Sequence, residues 1–322
     1  VNAPERHLPL ADSIAATGET VPETRPLLGI ACKVTSVFVF VLMSTLLKSA
    51  EGIPAGELVF FRSFFAIFPV VIYLAYTHQL QGVMVTSDIF GHIWRGLVGV
   101  MSMLSGFYAL TLLPLPESIA INYASPLMIV VLSAIFLKEQ VRLYRWSAVL
   151  IGFAGVLIIV WPRLSMFSSG GMSQAEGIGA IFALIGALSS AVAMMLVRKL
   201  VKHERTATIV IYFSLTSTVI ALFTMPFGWV VPQMWQLGLL IGAGFAGGIA
   251  QIFLTECYRH AEMSTIAPFE YTSMLLGLGI GYVVFGDVPT AQMLIGSSIV
   301  IGAGIFIIFR EHKLSGRKLR KS

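Results

Sequence analysis

LLGIACKVTSVFVFVLMSTLL, residues 27–47, is an unbroken apolar run with one charge, Lys33. A helix crosses the roughly 30 Å hydrocarbon core of a bilayer in about 20 such residues. Further runs follow at 56–76, 95–113, 117–137, 142–161, 177–198, 207–228, 236–257, 264–285 and 290–309, separated by short polar breaks. Soluble domains of this length do not need such runs, because their helices keep one polar face. The pattern predicts an all-α integral membrane protein with ten transmembrane helices.

Composition agrees with that pattern. The chain of 322 residues is 57% hydrophobic and 11% charged, with a mean hydropathy of +0.86, against about 45–50% and 25% in soluble domains. Ten helices leave no room for a second soluble domain of ordinary size. Cys32 and Cys257 fall within or at the end of apolar runs without metal-ligand spacing, and are expected as small core residues. Residues 1–26 are polar, rich in Pro, Glu and Thr, and lack the basic start and cleavage site of a signal peptide. They are expected as a retained, disordered cytoplasmic tail, with the first run as an uncleaved anchor.

Charge sets the expected orientation. With the N-terminus in the cytoplasm, the cytoplasmic segments hold Arg6, Arg25, Arg95, Arg259 and the basic clusters within 138–145, 198–205 and 310–321. The opposite side holds only Lys48 and Arg163. This positive-inside bias places both termini in the cytoplasm. It also accounts for the net charge of +5 and the basic tail at 310–322 without nucleic acid; contact with anionic lipid suits that tail better.

The chain also repeats itself. Asn122-Tyr123-Ala124-Ser125-Pro126 precedes an apolar stretch, Lys138-Glu139 and a helix with Gly152 and Gly155. Glu270-Tyr271-Thr272-Ser273-Met274 precedes another, then Gly286-Asp287 and a helix with Gly302 and Gly304. Tyr271 follows Tyr123 by 148 positions, Asp287 follows Glu139 by 148, and Gly304 follows Gly155 by 149. Phe60-Phe61 pairs more weakly with Tyr212-Phe213. The two repeats are assigned to 27–161 and 177–309. Five helices per repeat is an odd number, so the second copy must be inverted, as in carriers that alternate access to the two sides.

On these residues the chain resembles the drug/metabolite transporter superfamily, EamA type, over about 27–310. Glu57-Leu58-Val59-Phe60-Phe61-Arg62 is similar to the family's second-helix signature. Tyr108-Ala109-Leu110 through Pro114, Pro116 and Pro126 to Leu137-Lys138-Glu139-Gln140 resembles its third-to-fifth helix core, and Ala267-Pro268-Phe269-Glu270-Tyr271 the matching later stretch. Arg95-Gly96 and Arg145-Trp146 resemble the branch with bacterial uptake carriers for S-adenosylmethionine and riboflavin. One departure is that Gly286 stands where Lys138 stands in the first copy. The resemblance implies a secondary transporter in the bacterial inner membrane, with S-adenosylmethionine or riboflavin uptake first and amino-acid or drug export as the alternative.

Ionisable groups inside membrane helices are expensive and are functional candidates. Lys33 lies one turn inside the first helix and is expected to snorkel to the interface. Arg62, among Phe60, Phe61, Phe64 and Phe65, is expected to face a cavity or a structural partner. Glu270 lies past Pro268 with Asn122 as its repeat counterpart. A carboxylate at that depth suits proton coupling or cation binding, with a structural hydrogen bond as the other reading. Gln251 is flanked by Gly244, Gly247 and Gly248, which suit close helix packing. The expected substrate-binding set is Arg62, Tyr108, Asn122, Tyr123, Gln251, Glu270 and Tyr271, with Met101, Met103, Met194 and Met195 as core filling.

No phosphate-cradling GxxxxGK[ST], HExxH or His/Cys cluster occurs. No catalytic residue, cofactor or metal is therefore expected, and an intramembrane enzyme or lipid-binding protein is the remote alternative. The expected partners are a small-molecule substrate and the lipid bilayer. The sequence leaves the oligomeric state open, a monomer included.

Overall fold

The computed structural model describes residues 26–76, 78, 80–136, 143–165, 172–261 and 266–319. The expectations for the N-terminal tail, Lys138-Glu139 and the end of the C-terminal tail lie outside those residues. The described chain is helical, with no strand among the described residues. The helices are α1 (Pro26–Ser49), α2 (Ala55–Tyr76), α3 (Ile89–Leu112), α4 (Leu115–Asn122), α5 (Ala124–Phe136), α6 (Leu143–Ser165), α7 (Met172–Leu200), α8 (Thr206–Leu222), α9 (Met234–His260), α10 (Thr272–Phe285) and α11 (Ala291–Leu319). Short 3₁₀ turns cover Met225–Phe227 and Ala267–Tyr271.

Among the described residues, six segments are long and apolar enough to cross a membrane: Leu27–Ser49, Ala55–Tyr76, Ile89–Leu112, Leu115–Leu132, Ala175–Leu200 and Met234–His260. Shorter apolar helical segments cover Trp146–Pro162, Thr206–Leu222, Phe269–Phe285 and Ala291–Ile307. Large apolar side chains such as Leu150, Trp161, Leu275 and Val283 face outward, as a lipid-solvated surface requires.

Two expected helices are interrupted. The run at 117–137 breaks at Tyr123, between α4 and α5. Pro126 lacks the N–H that would bond the Asn122 carbonyl, and its ring crowds that carbonyl, so the helix turns there. The run at 264–285 opens as the 3₁₀ turn Ala267–Tyr271, with Pro268 in its first positions, before α10 begins. Tyr123 and Tyr271 therefore sit at corresponding breaks.

Helix α1 packs on α9, and α3 packs on α7. Helix α2 packs on α9 and α8, α3 also on α8, and α6 on α11. Glycines bring these backbones together. A Cβ on Gly248 would lie 2.6 Å from both the Ala66 carbonyl oxygen and Pro69 Cγ, and one on Gly244 2.8 Å from the Phe61 carbonyl oxygen. At α6–α11, a Cβ on Gly296 would lie 2.6 Å from the Gly155 carbonyl oxygen. Such close approach supplies the van der Waals packing that holds helices together in lipid. Gly248→Ala must push α9 off α2, and should cost about 1–3 kcal/mol, as overpacking does. A thermal-unfolding midpoint equal to wild type would contradict this.

One end of the bundle, where α1 and α3 finish and α2, α4 and α9 begin, is filled by Leu47, Leu58, Leu110, Leu115 and Leu240. Polar contacts bind it. Lys48 Nζ donates to the Leu113 carbonyl at 2.6 Å, and Leu115 N–H donates to Asp287 Oδ2 at 3.3 Å. Gly286, at φ +69°, ends α10 and turns the chain so that Asp287 N–H closes onto the Gly281 carbonyl. Cys32 and Cys257 are free and buried together near Ala261 and Ile266.

Candidate functional site

A cavity of about 310 Å³ lies between the halves of the chain, lined by α1, α2, α3, α7, α8, α9 and the two helix breaks. Helix α1 contributes Lys33, Ser36, Val37, Phe40, Val41 and Ser44, one stripe at spacings of three and four. A second space of about 200 Å³ shares Ser44, Ser102, Asn122 and Ser190 with it and reaches toward the leucine-filled end.

Of the expected residues, Arg62, Asn122, Tyr123, Gln251 and Glu270 line this cavity. Asn122 and Glu270 arrive there because the helices break beside them. Tyr271 is not among the lining residues; its ring packs against Tyr123 at 5.3 Å, and its hydroxyl fills the space a Cβ on Gly304 would need. Tyr123 shares a 2.7 Å hydrogen bond with Ser273, which itself donates to the Glu270 carbonyl.

Tyr108 does not reach the cavity. The lining residues of α3 are Arg95, Gly99, Ser102, Met103 and Phe107. At about 100° per residue, Tyr108 falls on roughly the opposite side of that helix. It is 38% exposed and meets Phe182 edge-on at 4.8 Å.

Three sequence expectations change here. Lys33 does not snorkel: it is 2% exposed, lines the cavity, and donates to Glu270 Oε2 in an ion pair. Arg95 is not at the cytoplasmic boundary. Asp88 caps α3 by accepting from Gly91 N–H at 2.8 Å, so the helix starts at Ile89 and carries Arg95 two turns inward. The Asp88 before an apolar run was the available signal, since aspartate favours N-caps. Met103 and Met194 line the cavity rather than only filling core.

The two arginines share one aromatic ring. The Arg62 guanidinium carbon lies 5.3 Å, and that of Arg95 3.9 Å, from the Phe213 ring centroid. Arg62 is 3% and Arg95 6% exposed. Arg62 Nη2 donates to Gln251 Oε1 at 3.4 Å, a long contact, while Nε and Nη1 of both arginines have no hydrogen-bond partner. Among the described residues no carboxylate pairs with either. Cation–π contact is worth about 0.5–2 kcal/mol. Burying an ion costs several kcal/mol, so the ring alone does not balance these charges. Room for both depends on glycines: a Cβ on Gly99 would collide with Arg95 Nη1, and one on Gly247 would lie 3.1 Å from Arg62 Nε. Those glycines are again 148 positions apart.

Beyond the Lys33 end, Glu204 in the α7–α8 connection fastens the loop before α3. Its Oε1 accepts from Thr86 Oγ1 at 2.8 Å, Ser87 N–H at 2.9 Å and Ser87 Oγ at 3.0 Å. Its Oε2 lies 3.9 Å from His92 Nε2, whose ring stacks on Tyr212. Burial alone would raise the Glu204 pKa, but those donors and His92 outweigh it and hold the carboxyl below its ordinary value. A depressed carboxylate pKa contributes stability above the ordinary pKa, lost as pH falls through the folded value. The wild-type unfolding midpoint should therefore fall more steeply than that of Glu204→Gln on acidification from about pH 6 to 3. Parallel curves would exclude the network.

Among the described residues no group of three His, Cys, Asp or Glu could hold a metal ion.

Comparison with known proteins adds to this geometry. A family profile described as the EamA-like transporter family matches residues 27–161 and 177–310. The chain is 26% identical over 265 residues to the S-adenosylmethionine uptake transporter of Rickettsia conorii, covering 81% of this chain and 85% of that protein. It is 30% identical over 279 residues to the pseudopaline exporter CntI of Pseudomonas aeruginosa, covering 86% and 94%. It is 28% identical over 300 residues to the riboflavin transporter of Vibrio cholerae, covering 91% and 97%. One solved crystal structure superposes with a TM-score of 0.63 at 19% identity, over 89% of this chain and 98% of that one, a likeness of fold.

Proposed function

This chain belongs to the EamA-like transporter family, and from that premise we propose that it is a secondary transporter moving a small organic metabolite by alternating access. The carrying observation is the cavity between the halves, which gathers buried charged groups beside two helix breaks. Broken helices lining a buried polar site are the way transporters free backbone groups for a solute. The proposed binding residues are Arg62, Asn122, Tyr123, Gln251 and Glu270, with Tyr271 bracing Tyr123.

The architecture in this reading is ten membrane helices in two inverted five-helix repeats. Each family match contains five apolar runs. Packing supports it: counting α4 with α5 and the 3₁₀ turn with α10 as single helices, exchanging the repeats turns the α1–α9 pair into α7–α3. The same exchange turns α2–α9 into α8–α3 and leaves α2–α8 and α6–α11 unchanged.

Both termini are placed in the cytoplasm of a bacterial cell, on the basic clusters. The Lys33 end of the cavity then faces the cytoplasm and the leucine-filled end faces outward. Val231 is 95% exposed in the α8–α9 connection, and His203 is exposed in the α7–α8 connection. In a chain with Cys32 and Cys257 replaced, Val231→Cys should react with an impermeant thiol reagent on intact cells, and His203→Cys only after lysis. The reverse pattern would invert the orientation.

S-adenosylmethionine or riboflavin uptake, which the resemblance implies, corresponds to two of the relatives named, and export to the third. Transport of labelled solutes by the full chain in proteoliposomes tests the reading. Solute retained no better than in protein-free vesicles, for every solute and both gradient directions, would sink it.

A further inference from the structure

We infer that the cavity takes an organic anion, and that Arg62 and Arg95, against Phe213, hold its carboxylate. This deepens the transport reading and rests on it. Among the described residues, three basic side chains, Lys33, Arg62 and Arg95, line the cavity against a single carboxylate, Glu270. Glu270 is already engaged by Lys33. Two guanidinium charges are left over, close enough to share one ring. Each is more than nine-tenths buried, and each has Nε and Nη1 without a hydrogen-bond partner.

Like charges buried together repel, and unpaired N–H groups out of water forfeit their hydrogen bonds. An anion entering the cavity removes both penalties at once. A carboxylate suits the site because a planar guanidinium fork matches it with two parallel hydrogen bonds. A cationic cargo would add to the repulsion, and a neutral one would leave it in place. Gly99 and Gly247, which admit the two guanidinium groups, show that the backbone accommodates the pair rather than tolerating one stray arginine. The walls contributed by Phe40, Met103, Phe107 and Phe213 give the organic part of the solute an apolar surface.

Thermal unfolding of the purified full chain at constant ionic strength tests this. The probes are acetate, succinate, citrate and inorganic phosphate, against choline and riboflavin, which carry no carboxylate. The midpoint should rise with carboxylate charge, by about 5 °C or more at saturation, and the rise should vanish in Arg62→Gln and Arg95→Gln. Two results would overturn the inference in the wild-type protein alone: no rise with any carboxylate, or a rise with phosphate equal to that with citrate. A carboxylate response surviving unchanged in a folded arginine variant would also overturn it. The outcomes separate the two readings. Uptake of riboflavin without a carboxylate response leaves the transporter and removes the anion site. A carboxylate response without transport of any solute does the opposite.

Discussion

Arg62→Ala is expected to lower transport in proteoliposomes by about 10- to 150-fold while leaving the folded protein as stable as wild type, or more so. The fold-change follows from losing one charged hydrogen bond to the solute, about 1.5–3 kcal/mol, at about 1.4 kcal/mol per tenfold. The opposite sign for stability follows from the resting site. Arg62 is 3% exposed, its Nε and Nη1 have no partner, and its one hydrogen bond is a 3.4 Å contact to Gln251. Removing it discards a buried charge together with its desolvation cost, and relieves repulsion with Arg95. Binding sites commonly trade stability for function in this way. Arg62→Lys should recover little transport, since an ammonium cannot reproduce the guanidinium fork. A variant that loses transport only because it unfolds earlier would show Arg62 to be a structural strut. Full transport in Arg62→Ala would remove it from the site.

The second large effect concerns Lys33 and Glu270. Lys33 is 3% and Glu270 41% exposed by side chain, so the two ends of this ion pair sit in different surroundings. Glu270→Gln strands a buried ammonium and should destabilise the protein by about 3–5 kcal/mol. Lys33→Met leaves a carboxylate facing the cavity, where water can solvate it, and should cost less. The double variant Lys33→Met with Glu270→Gln removes both charges and should recover most of the stability. Thermal unfolding of the four proteins reads this directly. Additive losses would mean that the pair does not form.

The same double variant separates fold from coupling. If Glu270 carries a proton during the cycle, the double variant should exchange solute for solute but lose accumulation driven by a pH gradient. Wild-type accumulation would leave the pair a purely structural role. Because Glu270 binds Lys33 at rest, protonating it would also release Lys33 into the cavity. Proton binding would then alter the cavity's charge as well as the pair.

The membrane class was legible from run length and charge alone, because a bilayer imposes a local demand on every crossing segment. The proposed repeat rests on signs that are equally local. The spacing that relates Tyr123 to Tyr271 also relates Gly99 to Gly247, so it can be read from the chain without its fold. Arg62, Asn122, Tyr123, Gln251 and Glu270 could be picked out because a polar group inside an apolar run is conspicuous wherever it points.

Direction was what the sequence did not carry. Tyr108 and Phe107 are neighbours in the chain, yet one faces outward and the other the cavity, a matter of helical phase that polarity did not reveal. Arg95 resembled a boundary residue until the Asp88 cap set where α3 begins. Lys33 looked able to reach water, and only the packing of α1 beside the Ala267–Tyr271 turn gave it Glu270 instead. Local composition determines what a segment can be, since its hydrophobic cost is paid residue by residue. Which charges meet, and which remain unpaired around Phe213, is decided by contacts between residues far apart in the chain, and those exist only in the folded protein.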